Sequence, residues 1–158
     1  MPGTLPPRLY TEARVLYLVH HAHAVGPGLD AQRPLSAVGL AHADWLADQA
    51  AAAGVKPAAI WHSGKLRARQ TAEAFLRRCN PFASFMMVRG LRPEDSPGGL
   101  REVLAAETAD LMLVSHMPLL PALAHMLCPE VGDFPLHGLI ALERGANGVY
   151  SERLRLGG

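Results

Sequence analysis

Residues Val15–Ala24 read VLYLVHHAHA, an unbroken apolar, β-prone run that stops at two adjacent histidines. A run that is apolar at every position, not at every second one, has no solvent face. That is the pattern of a strand buried on both sides of a parallel sheet. In open sheets of this kind, ligands collect beyond the carboxyl ends of the strands. His20 and His21 are therefore expected at the lip of a ligand-binding crevice.

The same order recurs along the chain. Ala59–Trp61 read as a short strand followed by His62 and Ser63, and Phe85–Val88 as a third strand. Asp110–Val114 is a second strongly apolar strand, ending at Ser115, His116, Met117 and Pro118. Helices fall between them. Ser36 is placed as the N-cap of one running to Ala53, with Gly54 closing it, and Lys65–Arg78 form another that Asn80 and Pro81 stop. Leu100–Thr108 and Leu119–Leu127 have helical spacing, with Pro118 at a position suited to a helix start. Leu139–Glu143 and Val149–Leu154, joined by the turn-rich Arg144–Gly148, read as a terminal antiparallel hairpin.

Strands alternating with helices predict an α/β three-layer sandwich, a mostly parallel central sheet with helices on both faces. With 158 residues, 49% of them hydrophobic, the chain is expected to form a single domain over 1–158. Residues 1–12, which include Pro2, Gly3, Pro6 and Pro7, are expected to be a loose tail.

Fifteen basic against fourteen acidic residues give a net charge of +1, so no global field points to nucleic acid or a membrane surface as partner. Cys79 and Cys128 lie far apart without metal-ligand spacing and are expected to be ordinary reduced residues. No stretch has signal-peptide or membrane-span character, and a cytoplasmic location is the corresponding expectation.

Three strand ends deliver polar side chains to one edge of the sheet: His20 with His21, His62 with Ser63, and Ser115 with His116. The segment Lys65-Leu66-Arg67-Ala68-Arg69-Gln70-Thr71 opens the helix after the second strand. Its first turn offers free backbone N–H groups and the positive end of the helix dipole to an anion. Arg67 adds a planar guanidinium that grips phosphate at two points. A neutral imidazole in such a site is a competent nucleophile toward phosphorus, and the chemistry requires no metal and no cofactor.

The remaining candidates have plainer readings. His23 gives the run an H-H-x-H appearance, but no cysteine lies nearby and the spacing lacks the partners that close zinc sites. His42, His125 and His137 are expected on helix faces or loops, and His62 is open between crevice and structure. Arg69 and Arg77 are expected to pair with carboxylates on a helix surface. Trp45 and Trp61 are read as core or rim aromatics.

The segments LYLVHHAHA, RPLSAVG, IWHSGKLRARQTAEAF and LMLVSHMPLLPALAHMLCPE, in this order and spacing, resemble the histidine phosphatase superfamily, also called phosphoglycerate mutase-like. Within it they most resemble the short bacterial SixA-type phosphohistidine phosphatases, over Val15–Tyr150. The resemblance implies a metal-independent phosphoric hydrolase with His21 as the phosphorylated nucleophile, Arg67 holding the phosphoryl group and His116 as the second catalytic histidine. Arg33, in RPL, matches a position near the anion pocket of the SixA-like branch. The implied substrate is a phosphohistidine-bearing protein or a small phosphorylated molecule, reached through a site without a long lid.

Two departures carry expectations of their own. The family places arginine immediately before the nucleophile, where this chain has His20. Losing a preorganised charged contact to a transition state costs about 3 kcal/mol, roughly a hundredfold in rate. Hence the alternative function is a phosphate-binding or regulatory module with impaired catalysis. If His20 binds phosphate as a cation, affinity should weaken as pH rises through its ordinary value near 6.5, ~6.5 being the unperturbed imidazole. Gly64 replaces a family proline and is expected to loosen its turn. Glu94 and Asp95 are the nearest candidates for a proton donor.

Overall fold

The computed structural model describes residues 14–157, so the tail expected over 1–12 lies outside the described residues. In chain order the elements are β1 (Arg14–His20), α1 (Ala37–Ala52), β2 (Ala59–His62), α2 (Leu66–Cys79), β3 (Ser84–Met87), α3 (Arg101–Ala106), β4 (Leu111–Ser115), α4 (Leu119–Leu127), β5 (Leu139–Arg144) and β6 (Tyr150–Leu156). They build one six-stranded sheet in the order β3-β2-β4-β1-β5-β6. The first four strands of that order pair in parallel, while β5 runs antiparallel to both β1 and β6. The mostly parallel sheet between two helical layers matches the expected sandwich.

The continuous apolar run of β1 is explained by what covers it. Val15, Tyr17 and Val19 face one core with Leu46 and Ala50 of α1 and Ala72 and Phe75 of α2. Leu16 and Leu18 point the other way, into a second core with Leu104 of α3 and Leu120 and Leu123 of α4. Successive side chains of a strand alternate between faces, so a strand with a helix on each side must be apolar throughout. β4, next to it, is buried at all five positions for the same reason.

Helix α1 lies close to the loop that leaves β1. The Ser36 Oγ accepts the Gly39 N–H at 3.0 Å, capping the helix as expected. A Cβ at Gly39 would overlap the His23 carbonyl oxygen, so only glycine allows this approach. Arg77 pairs with Asp44 across α1 and α2, and Arg69 with Glu73 along α2, the surface roles expected of them. Among the described residues no helix is long and apolar enough to cross a membrane.

Candidate active site

The sheet register brings the histidines together. β1 and β4 are neighbours with His20 opposite Ser115, so His21 and His116 leave adjacent strands side by side. The His21 N–H donates to the Ser115 carbonyl at 3.1 Å, extending the pairing by one residue. Their imidazole centroids are 4.9 Å apart. β2 lies beyond β4 with His62 opposite Val114, which carries Ser63 to the same edge. There Ser63 Oγ and His116 Nε2 share a hydrogen bond of 2.6 Å.

Hydrogen bonding assigns the His21 ring. Its Nδ1 lies 2.7 Å from the Ala22 carbonyl oxygen, which can only accept, so Nδ1 carries the proton and Nε2 keeps its lone pair. Burial lowers the His21 pKa to about 4, with Arg67, His137 and Arg33 pushing the same way against the Ala22 carbonyl. Neutral, with a free Nε2, His21 has the form a nucleophile needs near neutral pH. His116 is pushed to about 2, chiefly by burial and then by His21 and Arg67.

Arg67 sits in the first turn of α2 with only 4% of its surface exposed. Its Nη1 donates to the Asp30 backbone oxygen at 2.8 Å, and its Nη2 lies 3.4 Å from the Asp30 carboxylate. Arg33 and Lys65 also pair with that carboxylate, so three cations converge on one acidic group. Together they hold the Asp30 carboxyl well below the usual carboxylate range, the Lys65 hydrogen bond contributing most. Arg67 Nε and His116 Nδ1 are buried with no hydrogen-bond partner. Buried polar atoms are rarely left unpaired, and two at one strand edge mark a place for a polar ligand.

The structure corrects the expectation of a cationic His20. The ring is 4% exposed, and burial, reinforced by His21, His137 and Arg67, lowers its pKa to about 3. At neutral pH it carries no charge. Gly64 also departs from expectation, because its turn is tied and not loosened. At φ 91° it adopts a conformation closed to proline, and its N–H donates to His62 Nδ1 at 3.1 Å. His62, held there and tilted against Phe85, belongs to the turn. His23 bonds the capping Ser36 Oγ through its Nδ1 at 2.8 Å.

Three contributors escaped the sequence reading: Lys65, Asp30 and His137. His137 stacks on His20, and its Nδ1 donates to the His21 carbonyl at 2.7 Å. Of the proton-donor candidates, Asp95 helps line a cleft of roughly 410 Å³ that opens beside Ser63, between Met87, Arg89 and Arg92. Glu94 is not among its walls. The Asp95 carboxylate accepts the Arg92 N–H at 2.8 Å.

Residues 16–92 match the family model of the histidine phosphatase superfamily, branch 1. No curated protein matches the sequence. A structure from Agrobacterium tumefaciens assigned as a phosphohistidine phosphatase SixA is 25% identical with a TM-score of 0.80, over 92% of this chain and 98% of that one. The protein histidine phosphatase SixA complexed with tungstate is 23% identical with a TM-score of 0.82, over 90% and 96%. A mycobacterial glucosyl-3-phosphoglycerate phosphatase is 16% identical with a TM-score of 0.69, over 92% and 100%. The ordered motifs and the sheet that brings them to one edge accompany a match to the histidine phosphatase superfamily over residues 16–92 and a structural likeness to SixA proteins across most of the chain.

Proposed function

We propose that this protein is a phosphatase that removes a phosphoryl group from a phosphohistidine or a small phosphorylated molecule by way of His21. The observation that carries the proposal is the free lone pair on His21 Nε2 beside Arg67 and His116, with an unpaired buried nitrogen on each of the latter. Arg67, with Arg33 at the mouth, would hold the phosphoryl oxygens. In the first step His21 Nε2 bonds to phosphorus as the bond to the leaving nitrogen or oxygen breaks, and the leaving group takes a proton from the candidate donor Asp95 or from water, a proton that the attacking water of the second step replaces. In the second, water attacks the phosphohistidine, releasing inorganic phosphate and restoring neutral His21.

A phosphoramidate leaving group is favoured by this arrangement, because an imidazole is protonated far more easily than an alkoxide and demands less of a general acid. Asp95 is the better placed of the two candidate donors, at the cleft beside Ser63. No metal or cofactor takes part in the proposed steps. The test is incubation of the purified chain with labelled phosphoramidate. An acid-labile phosphoenzyme should accumulate in the parent and be absent from His21→Ala. Equal turnover by the two proteins would overturn the mechanism.

The neutral state of His20 keeps a second reading in view, a phosphate-binding module with slow turnover. It expects phosphate binding with no phosphoenzyme, and a large gain in hydrolysis when arginine is restored together with room for it.

A further inference from the structure

The His20 ring is held on two sides, and the residue's main chain is fixed as well. The main-chain N–H of His20 donates to the Gly138 carbonyl at 2.9 Å, the ring's face is covered by the His137 ring, and its Nδ1 lies 2.8 Å from the His137 main-chain nitrogen. A backbone N–H can only donate, so Nδ1 is an acceptor, and in the neutral ring the single proton must sit on Nε2. His137 reaches this place at φ 53°, among the described residues the one non-glycine with a positive φ. Backbone strain of this kind gathers where a structure needs a group aimed.

The tautomer decides between two uses of the cluster. One ring nitrogen from each of His20, His21 and His137 lies within 4.8 Å of the others, a grouping that could hold a metal ion. A ligating nitrogen must offer a lone pair. The outer nitrogen of His20 instead carries a proton, so His20 presents a donor beside the His21 nucleophile.

We propose that His20 is an uncharged hydrogen-bond donor to the phosphoryl group, its Nε2–H fixed by the His137 main-chain amide and standing where the family has an arginine. The inference rests on the phosphoryl site argued above. An arginine contributes charge and a donor; this pair of residues keeps the donor and gives up the charge. The groups facing the ring are His21 and His137 beside it and Arg67 and His116 across the site, and burial among them keeps the imidazole neutral. Anion binding through His20 is therefore insensitive to pH across the range in which a free histidine titrates.

The experiment is nuclear magnetic resonance of the full chain labelled with ¹⁵N-histidine, from about pH 5 to about pH 8, with and without inorganic phosphate. His20 should show a protonated Nε2 and an unprotonated Nδ1 throughout, with no titration, and its Nε2 signal should move on adding phosphate. In parallel, phosphate affinity should fall roughly ten- to a hundredfold in His20→Phe and stay within about threefold of the parent in His20→Gln, whose amide places an N–H near the position of Nε2. A proton on Nδ1, a titration inside that range, or a His20→Phe protein that binds phosphate like the parent overturns the proposal while leaving the site intact. If phosphate moves no signal of His20, His21 or His116, the phosphoryl site itself fails, and the proposal with it. The tautomer is read on the parent protein, so a variant that does not fold leaves that arm decisive.

Discussion

The imidazoles of His20 and His137 lie face to face, 4.8 Å apart with 8° between their planes. The second ring covers one face of the side chain at position 20, so a longer side chain there must keep or displace that contact. His20→Arg alone should thus destabilise the protein by about 2–4 kcal/mol, because it places a permanent cation beside Arg67 without room or counter-ion. Adding His137→Ala should recover at least about 1 kcal/mol of that loss. Urea unfolding of the parent, both single variants and the double variant measures the coupling. Strict additivity would show that the two rings are not exchanging space.

Buried His20 and His116, with half-buried His21, give stability a defined pH profile. His21, His20 and His116 all have folded values below the ordinary 6.5, at about 4, about 3 and about 2, burial being the first cause in each. The unfolded chain then binds more protons than the native state at acid pH. Their contribution is fully present above pH 6.5 and is lost as pH falls toward the folded values, by up to about 1.4 kcal/mol per pH unit for each group. The unfolding free energy by urea should therefore fall between pH 6.5 and pH 4 in the parent. In His20→Gln the slope over this window should drop by one proton; an unchanged slope would remove His20 from the set.

Ser63 reaches His116 through a short side-chain hydrogen bond of 2.6 Å. Its Oγ also accepts the Lys65 N–H at 3.3 Å at the start of α2. Ser63→Ala removes both bonds and leaves a second His116 nitrogen buried without a partner. It should cost about 1–3 kcal/mol of stability and at least about tenfold in kcat on a phosphoramidate. Steady-state kinetics beside thermal melts would check both, and unchanged kcat would assign Ser63 a purely structural part.

The parallel half of this arrangement was legible in the sequence, because each parallel strand enters the sheet from the far side and ends at the site. An apolar run followed by polar residues thus marks His21, Ser63 and His116 with no knowledge of the register. β5 reverses that rule. It runs antiparallel to β1, so the residues before it, not after it, arrive at the same edge. His137 consequently read as a loop histidine, although Gly138 lies opposite His20. Asp30 was hidden for another reason: its significance lies in three cations from two segments, and no local pattern encodes their meeting. The charge of His20 was misread because burial, not residue type, sets it.

Asp30 carries the last prediction. Its carboxylate, 56% exposed, sits against Arg33, Lys65 and Arg67. An anion entering the site competes with that carboxylate for the same cations. The firmest hold on Arg67, however, is the 2.8 Å bond from Nη1 to the Asp30 backbone oxygen, which a side-chain substitution leaves in place. Asp30→Asn should therefore keep the guanidinium where it is while raising the local positive potential. Inorganic phosphate should bind about three- to tenfold tighter at low ionic strength, and the gain should shrink as salt screens the cluster, since exposed charges lose influence beyond a Debye length of about 8 Å at physiological salt. Calorimetric titration at two salt concentrations checks it. Weaker binding in Asp30→Asn would show instead that the carboxylate's main task is to aim Arg33 and Lys65, with competition secondary.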